Sequence, residues 1–320
     1  MTFKNIFVGG IERSGTTVLA INISRIIPSL VVPEAQFKPL LFCTQGSGRV
    51  DDLRIRDHFR FKLWGIDAPA SLQLAKTASR AFEIIIDELV QSHGAIRRPY
   101  VIDHTPNNFA IAKQLHEQFD SALFVYIVRH PIATIVSLMK TDWGLPSIGR
   151  ALRFWARRYS EDQEGLKYLS KMCPEKLLVV SYEQLCEDTS AFIDQLSKRV
   201  RHDDRLNDIN SLAFIPHYTG TQHRNILNAP ALNMTNNHPF SSAETERIMR
   251  TTNIGHFQQY WETENNRVPP DALATSLAEL RDYARLLKLP VQRIALHKRR
   301  QLVGTRKVVV PRLDSFKTNI

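Results

Sequence analysis

Ile6-Phe7-Val8-Gly9-Gly10-Ile11-Glu12-Arg13-Ser14-Gly15-Thr16-Thr17 is the stretch on which the reading of this chain turns. An apolar strand runs into a glycine-bearing turn and then into a helix. A turn of this kind aims several backbone N–H groups, and the positive end of the helix dipole, at one point in space. Gly15 lets the backbone approach an anion closely. Ser14, Thr16 and Thr17 add hydroxyl donors and Arg13 adds a planar cationic fork. The spacing Gly10-x₄-Gly15 imitates the phosphate loop of nucleoside triphosphatases, but Thr16 stands where that loop carries its lysine. A phosphate-reaching cation is therefore missing from the usual place.

Outward from this loop, short apolar runs alternate with helical patterns. The runs fall at residues 5–9, 30–33, 100–103, 122–128 and 177–182, and none alternates cleanly, as expected of parallel strands covered on both faces. Helical periodicity marks 16–27, 70–93, 108–119, 131–140, 148–172 and 189–200, with Pro131 suited to a first turn. The expectation is an α/β domain around a central, mostly parallel sheet. Residues 41–67 carry charges, glycines and little periodicity, and read as an irregular, lid-like insertion. Pro269-Pro270 closes a linker at 263–270, after which a helix at 271–289 and a basic tail are expected. The division is thus 1–262 for the α/β domain and 263–320 for a helical, basic extension, a candidate to dock on the body or on a second subunit of a homodimer.

Composition narrows the classes. Of 320 residues, 43% are hydrophobic and 23% charged, inside the ordinary globular range. Cys43, Cys173 and Cys186 are too few and too scattered for a disulfide framework or a cysteine zinc site, and they fit a reducing compartment. No apolar run is long enough to span a membrane, and the first residues lack a signal peptide's apolar core, so a cytoplasmic chain is expected. No metal-ligand spacing is found, since Asp103 and His104 are merely adjacent. The formal charge of +10 favours anionic partners, but it is local: eleven basic residues between Arg281 and Lys317 face only Asp282 and Asp314. Nucleic acid is not expected as a partner, because charge runs are usually solvated faces. Arg153, Arg157 and Arg158, beside Trp155 on the long helix, are read the same way.

The opening stretch resembles the 5′-phosphosulfate loop of sulfotransferases that use 3′-phosphoadenosine 5′-phosphosulfate (PAPS) and release 3′-phosphoadenosine 5′-phosphate (PAP). Where that family commonly has proline before the arginine, this chain has Glu12, which is expected to point outward. A second motif is similar too. Arg129 ends the fourth apolar run and Ser137 follows eight positions later on a helix, like the family's 3′-phosphate signature. Pro33-Glu34-Ala35-Gln36-Phe37 resembles the Pro-Glu-x-x-Phe segment of bacterial members, and the spacing from Arg13 to Glu34 resembles that to the catalytic glutamate of tyrosylprotein sulfotransferases. Asp103-His104-Thr105-Pro106 resembles a Lys-Thr-Pro segment with His104 in place of the lysine. Tyr182-Glu183-Gln184-Leu185 resembles a segment whose tyrosine lies near the adenine. The likeness covers roughly residues 3–200, more loosely to 261.

The resemblance implies a three-layer, P-loop-like fold and sulfuryl transfer from PAPS to a hydroxyl of a carbohydrate, lipid-linked, small-molecule or tyrosine acceptor. It assigns Arg13, Ser14, Gly15, Thr16, Thr17, Arg129, Ser137 and Tyr182 to the donor, and Glu34 as base with His104 as its rival; Arg13 would stabilise charge on the leaving phosphate. A kinase or triphosphatase of phosphate-loop type and a non-enzymatic anion-binding adaptor are the alternatives. His217, His223 and Arg224, in the polar segment 217–239, could close over substrate. Independently of any family, Arg13, Glu34, His104 and Arg129 each follow one of the five expected strands and Tyr182 ends the fifth, and open parallel sheets bind ligands outside the carboxyl ends of their strands.

Overall fold

A computed structural model describes residues 4–43, 58–67, 70–141, 145–200 and 239–252. Five strands form its sheet: β1 (Lys4–Gly9), β2 (Ser29–Val32), β3 (Tyr100–Asp103), β4 (Leu123–Val128) and β5 (Leu177–Ser181). Their order is β2-β3-β1-β4-β5 and every pairing is parallel. Phe7 lies opposite Asp103 on one side and Phe124 on the other, and Val128 lies opposite Ser181, so all five carboxyl ends share one edge.

Alternation along the central strands makes the layers. Ile6 and Val8 of β1, with Val125 and Ile127 of β4, turn toward Leu19, Ala20 and Ile23 of α1 (Thr16–Ile26). Phe7, Phe124 and Tyr126 turn the other way, against Phe109 and Phe119. Both faces are buried, which is why these strands read as continuous apolar runs. The expected three-layer α/β fold is what the chain adopts.

In chain order the other helices are α2 (Lys38–Phe42), α3 (Phe59–Trp64), α4 (Ala78–Ser92), α5 (Ala112–Gln118), α6 (Pro131–Met139), α7 (Ile148–Met172), α8 (Tyr182–Glu187), α9 (Thr189–Arg199) and α10 (Ser242–Thr252). α7 lies against the 3₁₀ turn Pro106–Ile111 so closely that a Cβ on Gly165 would stand 1.9 Å from the Phe109 carbonyl oxygen. Ile248 of α10 is fully buried where that helix meets α6 and α7.

Several boundaries differ from expectation. The single helix expected over 70–93 is a 3₁₀ turn, Ala70–Leu74, and then α4, because the Thr77 hydroxyl accepts the Arg80 N–H and starts a new helix. The helix over 108–119 is likewise the Pro106–Ile111 3₁₀ turn followed by α5. The fifth strand stops at Ser181, whose hydroxyl accepts the Gln184 N–H and caps α8. The stretch 41–67 is not wholly irregular: α2 runs into it and α3 lies within it, and residues 44–57 fall outside the described residues. The same holds for 217–238 and for the extension 263–320. Among the described residues, no helix is long and apolar enough to cross a membrane.

Candidate active site

The loop after β1 is built from the backbone. Ser14 N–H donates to the Ile11 carbonyl at 3.0 Å, closing a turn in which Arg13 has a φ of 73°. Gly15 follows at φ 101°, the left-handed region where glycine has no Cβ to clash, and starts α1. A Cβ there would also meet the Tyr182 ring at 2.7 Å. The first turn of α1 has neither a side-chain cap nor an acidic residue, so its N–H groups and dipole offer positive polarity. Ser14 and Thr16 are buried beside them.

The β4 and β5 ends close on this loop. Arg129 donates through Nη1 to the Arg13 carbonyl at 2.9 Å, and its guanidinium carbon lies 4.5 Å from the centre of the Tyr182 ring. Arg129 Nε is buried with no hydrogen-bond partner among the described residues. Arg13 Nε donates to Ser137 Oγ on α6 at 3.0 Å. Burial, then the like charge of Arg129, holds the Arg13 guanidinium below its ordinary pKa, while Glu34 opposes them. Two neighbouring arginines, one of them with an unpartnered buried donor, offer a cradle to an anion. Tyr182, 8% exposed, packs against both Gly15 and Arg129. Glu183, whose role the sequence did not suggest, accepts the His130 N–H at 2.9 Å and fixes the β4–α6 turn that presents Arg129.

At the β2 and β3 ends, Thr105 is not the helix cap it resembles. Its hydroxyl accepts the Ala35 N–H at 2.8 Å, strapping the segment that carries Glu34. Beneath it Lys38 is fully buried: Nζ donates to Asp103 Oδ1 at 2.5 Å, to Thr105 Oγ1 at 3.3 Å and to Asn108 Oδ1. Asn108 in turn donates to the Val8 carbonyl, tying this knot to β1. Burial lowers the Lys38 pKa, and Lys38 holds Asp103 below the usual carboxylate range against its own burial.

The Glu34 side chain is 20% exposed, and its Oε2 accepts from Gln36 Nε2 at 3.1 Å and pairs with Arg60 at 3.4 Å. Its surroundings push the carboxyl above its ordinary pKa: burial dominates, Arg60 opposes it, and Glu12 and Asp103 add to the rise. His104 is fully buried, with Nδ1 3.4 Å from Thr17 Oγ1. All five residues expected at strand ends lie there.

Two expectations are overturned. Glu12 does not simply point outward but pairs with Arg158 Nε at 3.0 Å. Arg158, with Trp155, is buried rather than part of a solvated face, because α7 turns it toward the loop; Arg153 and Arg157 stay exposed. Arg158 also pairs with Glu161 and, at 3.9 Å, with Asp162. Asp162 accepts the Tyr126 hydroxyl proton at 3.1 Å.

Residues 5–203, well over half of the chain, match the family model described as Sulfotransferase family. Nodulation protein NoeE of Sinorhizobium fredii (strain NBRC 101917 / NGR234) is 28% identical over 153 residues, 44% of this chain. That stretch is 32% of NoeE, so the chain spans about a third of the relative's length. The sulfotransferase domain from the curacin biosynthetic pathway aligns at TM-score 0.43 and 18% identity, covering 78% of this chain and 96% of that one. Mouse sulfotransferase SULT7A1, solved in complex with PAP, aligns at TM-score 0.46 and 14% identity, covering 78% of this chain and 84% of that one.

Proposed function

This chain belongs to the sulfotransferase family, and on that footing we propose that it moves a sulfuryl group from PAPS to an acceptor hydroxyl by in-line displacement. The observation that carries the reading is the contact set joining Arg13, Ser137 and Arg129, which brings both arginines together on the loop that leads into the uncapped start of α1. The donor carries about four negative charges near neutral pH, and taking them from water requires fixed dipoles, guanidinium forks and hydroxyls together. Residues 10–17 take the 5′-phosphosulfate, and Arg129 with Ser137 takes the 3′-phosphate. Tyr182 shores up the cradle beneath the nucleotide. The residues 1–262 act as the catalytic domain in this reading, with 263–320 as its extension.

The chemistry is positioning plus charge stabilisation, since sulfuryl transfer, like phosphoryl transfer, passes through a loose transition state. Arg13 and the first N–H groups of α1 offset the charge that grows on the leaving phosphate. Glu34 takes the acceptor's proton: its carboxyl keeps an open side and a raised pKa, both useful in a base. His104 has no exposed surface and lies against Thr17, so it orients that hydroxyl rather than meeting the acceptor. The acceptor is a carbohydrate, lipid-linked, small-molecule or tyrosine hydroxyl.

Titration calorimetry with PAP, ATP and a short DNA duplex, each with and without magnesium, tests this. Tight, magnesium-independent binding of PAP alone is expected. Preference for ATP with magnesium would give the loop to a kinase or triphosphatase, and duplex binding alone would favour an adaptor.

A further inference from the structure

The turn at residues 11–14 has the wrong residues for its shape. Ser14 N–H reaches the Ile11 carbonyl, Arg13 has φ 73°, and Arg13 is the one non-glycine residue with positive φ among the described residues. Glu12 therefore keeps a negative φ, and the two central positions match a type II turn. Such a turn favours proline at its second position and glycine at its third. Here Glu12 and Arg13 stand there. Arginine in the left-handed region is strained, and no ring restricts residue 12.

Side-chain contacts supply the restraint. The Glu12 carboxylate meets Arg158 Nε at 3.0 Å through Oε1 and 3.1 Å through Oε2. Arg158 is only 5% exposed, and it is held by Glu161 and Asp162 one turn along α7. Asp162 is bonded to Tyr126 of β4. A chain of contacts thus runs from the middle of the sheet, through α7, to the turn. On the turn's other flank, Arg129 grips the Arg13 carbonyl.

We propose that the Glu12–Arg158 ion pair does for this turn what a ring at position 12 would do, holding the backbone so that Arg13 stays left-handed with its guanidinium on Ser137. Arg158 is thereby a positioning residue for the anion loop, acting through Glu12 and touching no ligand. The inference uses the reading above only for the identity of the anion.

Amide hydrogen exchange of the full chain without ligand, followed at Ser14 and its neighbours, reads the clamp directly. Glu12→Ala and Glu12→Gln should each raise exchange there about threefold to fivefold, as loss of a partly exposed pair would, while Glu12→Pro keeps the wild-type rate. Arg158→Gln should speed exchange in the Glu12 background and have no effect beside Glu12→Pro, a distinction that a purely structural role for Arg158 would not make. Wild-type exchange in Glu12→Gln, or equal acceleration by Arg158→Gln in both backgrounds, overturns the proposal. Should the proline variant fail to fold, the glutamine variant alone still decides. A wild-type chain that does not bind PAP refutes the donor reading, while the exchange rates still judge the clamp.

Discussion

Arg13 Nε donates to Ser137 Oγ at 3.0 Å, although 124 positions separate the two residues in sequence. The sequence motifs assign one to a 5′-phosphosulfate and the other to a 3′-phosphate; in space they touch. By accepting from Arg13, the Ser137 hydroxyl has its own proton left to donate outward. The contact makes the two halves of the anion cradle one polar system, with Arg129 bound to the same residue through its carbonyl.

Arg129→Ala should weaken PAP binding by about 2 kcal/mol or more, as loss of a charged hydrogen-bonding partner would. Ser137→Ala should cost about 1 kcal/mol, the worth of a neutral hydrogen bond. Calorimetric titration checks both. Lysine at 129 should restore little, because a point charge cannot both lie over Tyr182 and hold the Arg13 carbonyl with a planar fork.

Glu34→Gln should lower turnover about 10²- to 10⁴-fold, the range for a general base, with PAP affinity unchanged. In the wild type, kcat/KM should rise with pH through an inflection above the ordinary glutamate value of 4.5, because burial raises this carboxyl and only its ionised form accepts a proton. Arg60→Gln removes the neighbouring cation that opposes the rise and should move the inflection higher still. Unchanged turnover in Glu34→Gln would refute Glu34 as the base.

Asp162 gives a pH dependence of stability with a definite sign. Burial, outweighing Arg158, pushes its carboxyl from 3.8 up to about 8 in the folded chain. The folded state therefore favours the protonated form. The stability contributed is fully present below about 3.8 and is lost as pH rises through about 8. Denaturant melts from pH 5 to 9 should show this decline, and Asp162→Asn should flatten it.

Gly165→Ala should destabilise the fold by about 2 kcal/mol or more, as overpacking in a tight core does, despite alanine's better helix propensity. The added methyl would collide with the Phe109 carbonyl, a backbone atom that cannot swing away as a side chain would. A thermal melt of the variant decides it.

The five strands are legible because a strand buried on both faces needs an unbroken apolar run, and residues at or just past the end of each run fall at the carboxyl edge without further information. The side chains that brace the site are not. Lys38 looks like any lysine until Asp103, 65 positions on, takes its charge inside. Arg158 sits on a helix otherwise studded with exposed cations, and Glu12, 146 positions away, joins Glu161 and Asp162 of its own helix in making its burial tolerable. Arg60 meets Glu34 from a segment with no periodicity to announce a helix. A buried charge is decided by its partner, and single-sequence periodicity carries no partner. Thr105 misleads for the opposite reason: a threonine before proline looks like a local cap, yet its hydroxyl serves a neighbouring strand's loop.

The strand order has an evolutionary corollary. With β1 central, its loop is the hinge-post between two territories: Arg129 and Tyr182 stand on the β4–β5 flank, Glu34 and His104 on the β3–β2 flank. If the proposed assignment holds, a lineage could rewrite the second flank to suit a new sulfate recipient and leave the first, which would serve a universal currency, untouched. Diversification of such a chain should therefore be lopsided, its variety collecting on one wing of the sheet.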